Sequence, residues 1–71
     1  MITSERAIEI ATAYIAGRVS LSEGARCVAR EDGDVYIVEW LVVPVSRGPD
    51  FDARVRVDKW TGEVLDFMVG S

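Results

Sequence analysis

The chain has 71 residues, a net charge of −4 at pH 7 and a hydrophobic content of 49%. This length allows one domain, residues 1–71. The negative charge argues against a nucleic-acid-binding protein, because phosphate contacts require a basic surface. With a single cysteine, Cys27, the chain cannot form an internal disulfide.

No targeting or membrane segment is predicted. Residues 1–16 contain Glu5, Arg6 and Glu9 and lack the continuous apolar region of a signal peptide. The longest apolar run, Val35 to Val45, is interrupted by Glu39 and Pro44 and is far shorter than the ~20 residues of a membrane span. We therefore expect a soluble, cytoplasmic protein without membrane association; a secreted protein trimmed of its leader would have the same sequence.

A helix is predicted over about residues 4–17. Ser4 can cap its first turn, Glu5 places negative charge there, and Gly17 suits its end. The residues expected to face a core recur at three- and four-residue spacing: Ala7, Ile8, Ile10, Ala11, Tyr14 and Ile15.

Four antiparallel strands are predicted to follow, joined by three turns. Asp32-Gly33 is typical of a two-residue hairpin turn between strands 25–31 and 34–45. The turns at 46–49 and 58–63 come next. In the last of these, Asp58 can accept hydrogen bonds from backbone N–H groups two residues on, and Gly62 can adopt a positive φ. The sequence thus predicts an α+β fold, one N-terminal helix packed on a four-stranded antiparallel meander.

Turn lengths predict the register and therefore the faces of the sheet. A turn at Asp32-Gly33 places Cys27 opposite Val38, and a four-residue turn at 46–49 places Glu39 opposite Arg56. The inner face, toward the helix, then contains Ala25, Cys27, Ala29, Tyr36, Val38, Trp40, Val42, Ala53, Val55 and Val57. A bulge after Gly62 adds Leu65, Phe67 and Val69 to this face, where an unbulged register would bury Asp66.

The opposite side of the sheet, here called the outer face, is predicted to be unusually apolar. Its central-strand members are Val35, Ile37, Glu39, Leu41 and Val43, with Val28, Val64 and Met68 nearby and Arg26, Arg30, Arg54 and Arg56 around them. A contiguous apolar patch of this kind usually marks an interface. We expect it to be covered by a second copy in a homodimer, or by a different protein.

Two residues of this region have alternative interpretations. Glu39 is expected to form an ion pair with Arg26 or Arg56 across the sheet; the alternative is a recessed carboxylate that binds a partner's cation. Trp60 either folds over its own hairpin or serves as an exposed anchor for another protein.

Nothing in the sequence predicts catalysis, a cofactor or a metal site. The chain has no histidine, no glycine-rich phosphate loop and no spaced set of metal ligands. Asp32 and Asp34 form the nearest approach to a carboxylate pair, and both lie at a turn where they are expected to be solvated. Cys27 lies in an apolar run and is expected to be a small buried hydrophobe rather than a reactive thiol.

The sequence resembles the PepSY-type domains over most of its length. The matching segments are Ala7-Ile8-Glu9-Ile10-Ala11, Asp34-Val35-Tyr36-Ile37-Val38-Glu39 and Val55 to Val64. The resemblance implies a small cystatin-like α+β unit that binds or inhibits a peptidase and has no catalytic residues. The tail is also similar to the immunity-35-type immunity proteins of bacterial toxin systems, without their Gly-Trp and Gly-Asn-x-Pro segments.

Two functions follow as hypotheses. The first is a non-enzymatic protein-interaction domain that binds or inhibits a peptidase or a toxin. The second is a small apolar-ligand carrier with a pocket between helix and sheet around Tyr14, Tyr36 and Trp40. The first is favoured, since a 71-residue core can hardly spare the ~300 Å³ of a ligand cavity.

Overall fold

The structure, a computed structural model, describes residues 1–42 and 51–70. One helix, α1 (Ser4–Ile15), is followed by β1 (Arg26–Asp32), β2 (Val35–Leu41), β3 (Phe51–Asp58) and β4 (Val64–Val69). The strands form one antiparallel sheet in the order β1-β2-β3-β4, and α1 packs on one side of it. The predicted α+β fold is confirmed.

The N-cap of the helix lies one residue earlier than the sequence suggested. Thr3, not Ser4, is the N-cap, and its hydroxyl oxygen accepts a hydrogen bond from the backbone N–H of Arg6 at 3.1 Å. Ser4 lies inside the first turn, where its backbone is already helical. The helix ends at Ile15, and Gly17 has the positive φ (80°) expected after a helix end.

A two-layer core joins the helix to the inner face. Ala7, Ala11 and Ile15 are buried at four-residue spacing on one side of α1, and small alanines let a helix approach a sheet closely. The buried sheet residues beneath them are Tyr36, Val38, Trp40, Ala53, Val55 and Val57. The predicted inner face is therefore confirmed for these residues and for Ala25, Cys27 and Ala29, which are partly buried at its β1 side, whereas Val42 is not part of this core.

The predicted β1–β2 register is wrong by two residues. Cys27 is opposite Trp40, not Val38, and Asp32 is opposite Val35. The turn residues are therefore Gly33 and Asp34, and Gly33 is the first of the two with φ 60°. A two-residue turn with glycine first is a common alternative to the expected arrangement with glycine second. A shift of two residues preserves the face of every side chain, because side chains alternate with a period of two.

The β2–β3 register is also shifted by two residues, and it contains an unpredicted bulge. Glu39 is opposite Arg54, not Arg56, and Trp40 is opposite Ala53. Between Trp40 and Leu41 the register changes, so that Leu41 is opposite Phe51 and Asp52 is the extra residue. The carboxylate of Asp52 accepts hydrogen bonds from the backbone N–H and the hydroxyl of Ser22. The predicted turn at 46–49 lies outside the described residues.

β4 contains a bulge, but it lies at Leu65 rather than directly after Gly62 as predicted, and the set of inner residues differs. Val64 is opposite Val57 and Phe67 is opposite Val55, which leaves Leu65 as the extra residue. Val64 thus packs against the core, correcting its predicted place near the outer face, and Leu65 is exposed. Phe67 and Val69 lie on the inner side, as expected, although both remain substantially exposed because β4 is the last strand of the sheet.

The turn between β3 and β4 has the predicted chemistry. The Asp58 carboxylate accepts hydrogen bonds from the backbone N–H groups of Trp60 (2.8 Å) and Thr61 (2.9 Å). These two hydrogen bonds lower the pKa of Asp58, and the bond from Thr61 has the larger effect. Gly62 has φ 80°, and a Cβ there would lie 3.2 Å from Cδ1 of Ile10 in the helix. The turn is therefore fixed by its own hydrogen bonds and by close packing of α1 above it.

Candidate functional site: the outer face of the sheet

The strand register arranges the outer face in four rows that run across the sheet. Counted from the turn at Gly33, and from β1 toward β4 within each row, the first row contains Asp32, Val35 and Asp58, and the second contains Arg30, Ile37, Arg56 and Asp66. The third row contains Val28, Glu39, Arg54 and Met68, and the fourth contains Arg26, Leu41 and Phe51. Most of the predicted site is brought together here. Val43 lies outside the described residues.

The centre of the outer face is less exposed than the sequence suggested. Ile37 is 7% exposed and Glu39 is 8% exposed, while Val28, Val35 and Leu41 are partly buried. Ile37 lies between Arg30 and Arg56 in its row, and arginine stems bury apolar neighbours while their charged ends stay in water. The surface offered to solvent is therefore made largely of arginine side chains, with Met68 as its exposed apolar member.

Glu39 forms ion pairs on the outer face, with partners other than those predicted. Its Oε2 atom lies 2.8 Å from Nη2 of Arg54 and accepts a hydrogen bond from Nε of Arg54, also at 2.8 Å. Its Oε1 atom lies 3.4 Å from Nε of Arg30. The prediction of Arg26 or Arg56 is wrong because of the two-residue register shifts, which leave the face of Glu39 unchanged but move its neighbours.

Phe51 is a member of this surface that sequence reasoning missed. The Asp52 bulge places Phe51 opposite Leu41, and the guanidinium carbon of Arg54 lies 4.5 Å from the centre of its ring. Simple alternation from Ala53 would instead place Phe51 on the inner face. Arg54 is thus held on one side by a carboxylate and on the other by an aromatic ring, both favourable contacts for a guanidinium.

The charge of the outer face is unevenly distributed. Four of the eight cationic side chains of the chain lie in its last three rows, together with two carboxylates, Glu39 and Asp66. Asp66 forms an ion pair with Arg56 at 2.7 Å. The first row is acidic, through Asp32 and Asp58. The arginine-rich rows therefore carry a net positive charge in a chain whose overall charge is −4.

Trp60 lies apart from these rows, in the turn after β3. Its indole N–H donates to Oδ1 of Asp34 at 3.1 Å, so the ring reaches the β1–β2 turn rather than folding over its own hairpin. The residue remains 58% exposed. The neighbouring Lys59 forms an ion pair with Glu31, and this contact raises the pKa of Lys59. These interactions join the two hairpin turns at one end of the sheet.

The aromatic residues considered for a ligand pocket are engaged in packing. The hydroxyl of Tyr36 donates to the backbone oxygen of Ile2 at 3.1 Å, and Trp40 is buried. Tyr14 meets Phe67 edge-on, with ring centres 5.3 Å apart, and lies beneath the guanidinium of Arg18. Within residues 1–42 and 51–70, neither a pocket nor a cluster of metal-ligating side chains is found.

Cys27 lies on the inner face opposite Trp40 and packs against the core. Burial raises the pKa of its thiol, because a thiolate is poorly solvated there. Cys27 is partly buried rather than fully buried, and its surroundings are those of a structural cysteine.

In the described part of the chain, α1 is too short and too polar to span a membrane. Comparisons with family models, with curated proteins and with solved structures find no match to this chain.

Proposed function

We propose that this domain is a non-enzymatic protein-interaction module whose outer face binds a partner with acidic and apolar side chains. The observation that carries the proposal is the way in which Arg54 is held. Two of its nitrogens contact Oε2 of Glu39, and its guanidinium lies against the ring of Phe51. A guanidinium fixed in this way loses little freedom on binding a second carboxylate.

The rest of the surface supports the same kind of partner. Arg30 and Arg56 have more than 45% of their side chains exposed, so their unused N–H groups can contact carboxylates. Met68 in the adjacent row adds an exposed apolar contact. Planar arginine groups around apolar side chains are typical of binding hot spots.

The resemblance to PepSY-type domains makes peptidases the first class of partner to test, and the similarity of the tail to immunity-35-type proteins makes bacterial toxins the second. Binding or inhibition of such a protein through the outer face is the proposed activity. No observation on the described residues favours the ligand-carrier alternative.

A direct test uses a peptide with alternating Glu and Leu residues, compared with a Lys/Leu peptide of equal length. We expect the acidic peptide to shift the NMR signals of Arg30, Arg54 and Met68, and added salt to weaken this effect. Arg56→Gln should reduce binding, whereas Arg6→Gln, on the exposed side of α1, should not. Equal binding of both peptides, or equal effects of the two variants, would refute an arginine-directed site. Inhibition assays on a panel of peptidases and toxins then test the class of partner.

A further inference from the structure

The last strand of the sheet has an exposed apolar edge that the proposed function uses only at Met68. Seven large hydrophobic residues are conspicuously exposed among those described, and four of them lie in β4: Leu65, Phe67, Met68 and Val69, which are 37–58% exposed. We propose that this edge is a self-association site at which β4 pairs with β4 of a second copy. This self-association needs no partner on the outer face, although Met68 belongs to both surfaces.

The backbone of β4 has hydrogen-bonding groups directed away from the sheet. The N–H of Gly70 donates to the backbone oxygen of Asp52 at 2.9 Å, so Gly70 points toward β3. Backbone groups alternate between the two edges of an antiparallel strand. Met68 and Asp66 therefore also point toward β3, and Phe67 and Val69 point toward the open edge. Such groups are a template for another extended strand.

The two edges of the sheet are protected to very different degrees. β1, at the other edge, has four charged residues among seven, namely Arg26, Arg30, Glu31 and Asp32. β4 has one among six, Asp66, and Arg56 of the same chain neutralises it at 2.7 Å. Charged side chains are the usual protection against edge-to-edge pairing. The charge pattern thus leaves β4 as the edge suited to pairing.

The β4 edge of a second copy is complementary to this edge. A two-fold axis through Phe67 pairs Phe67 with itself and Leu65 with Val69 of the second copy. Asp66 then faces Met68 of the second copy and keeps its ion pair with Arg56. These contacts are apolar or already neutralised, and a two-fold axis closes the assembly as a dimer rather than an open fibre.

The same symmetry has two consequences for the rest of the molecule. An axis perpendicular to the sheet keeps both helices on one side of a continuous eight-stranded sheet. On that side, the Tyr14–Phe67 contact extends across the axis into a row of four aromatic rings. The outer faces of both copies stay open. This arrangement accommodates a homodimer without stacking one arginine-rich outer face against another, as the dimer expected from the sequence would require.

The experiment is sedimentation velocity from low to high micromolar concentration, with amide exchange measured by NMR on the same samples. We expect a dimer whose dissociation constant is micromolar, because one strand edge buries less than the ~1,600 Å² of a standard interface. The amides of Phe67 and Val69 should be protected in the concentrated sample and lose protection on dilution. The amide of Met68, which is bonded within the sheet, should be protected in both.

Two variants at one position provide the matched comparison. Val69→Pro removes an edge N–H that β3 does not use and should abolish the dimer, whereas Val69→Ala keeps this N–H and should weaken it less. Circular dichroism verifies folding, and Val69→Lys replaces the proline variant if that variant is unfolded. A monomer at every concentration would overturn the proposal. So would a dimer that persists in Val69→Pro but is lost in Leu41→Lys, since that result assigns the interface to the outer face.

Discussion

Both Nε and Nη2 of Arg54 contact the same oxygen of Glu39, each at 2.8 Å. The side chain of Glu39 is 89% buried, whereas the side chain of Arg54 is one-third exposed and that of Arg30 more than half exposed. This asymmetry decides how the pair should respond to mutation. The cations can recover water, but the carboxylate depends on them for its solvation.

Glu39→Gln is therefore expected to cost about 1–3 kcal/mol in the free energy of unfolding. This lies between the ~0–1 kcal/mol of an exposed pair and the ~3–5 kcal/mol of a fully buried one. Urea denaturation measures it, and Glu63→Gln, an exposed site in the last turn, is the control. If the two variants lose equal stability, Glu39 contributes no more than a surface charge.

The two tryptophans provide a contrast between core and surface. Trp40 is 4% exposed and Trp60 is 58% exposed. Trp40→Ala should cost ~3–5 kcal/mol in the free energy of unfolding, a loss that a 71-residue domain does not readily survive. If the Trp40→Ala variant does not fold, Trp40→Phe keeps the comparison measurable. Trp60→Ala should leave the melting temperature nearly unchanged. Thermal unfolding followed by circular dichroism tests both, and comparable losses would contradict the assignment of Trp40 to the core.

The sequence was sufficient to predict the faces of the sheet but not the pairs within it. Side-chain alternation is a period-two signal, so it survived two register shifts of two residues each. It failed at Phe51, because the bulged residue Asp52 has nothing in its local sequence that distinguishes it from an ordinary strand residue. The true partners of Glu39 were missed because both registers were shifted. The turn at Gly33-Asp34 places Val28 rather than Arg26 opposite Glu39, and the β2–β3 register places Arg54 rather than Arg56 there.

A comparison of Gly24 with Gly62 distinguishes the cost of backbone strain from the cost of steric contact with neighbouring side chains. They have nearly equal φ values, 82° and 80°, but a Cβ at Gly24 meets nothing within 4 Å, whereas one at Gly62 lies 3.2 Å from Cδ1 of Ile10. Gly24→Ala should cost ~1–2 kcal/mol from the left-handed conformation alone, and Gly62→Ala should cost more. Equal losses in denaturant unfolding would show that Ile10 moves aside freely.

Asp58 should make the stability of the domain depend on pH in the acid range. Its pKa is lowered from an ordinary 3.8 by hydrogen bonds from the N–H groups of Thr61 and Trp60. A lowered pKa in the folded state means that the charged carboxylate adds stability above pH 3.8, which is lost as the pH falls through the folded value. Asp58→Asn keeps an acceptor without the charge. The native protein should melt higher than this variant near neutral pH, and the difference should vanish in strong acid; a difference independent of pH would contradict the argument.

Cys27 should behave as a protected thiol in the folded protein. It packs against the core opposite Trp40, and burial raises its pKa, so access to the thiol and its thiolate content are both reduced relative to the unfolded chain. We expect iodoacetamide at pH 8 to alkylate the folded protein much more slowly than the urea-unfolded protein. Mass spectrometry follows the alkylation, with N-acetylcysteine in the same buffer as the reference. A folded-state rate equal to that of the reference would mean that the thiol is accessible and ionises normally, and that the inner face is open on the β1 side.

The raised pKa of the Cys27 thiol in the folded protein also means that the unfolded chain loses this proton first as the pH increases. The native protein should therefore lose stability in alkaline solution relative to Cys27→Ala, which has no thiol to ionise.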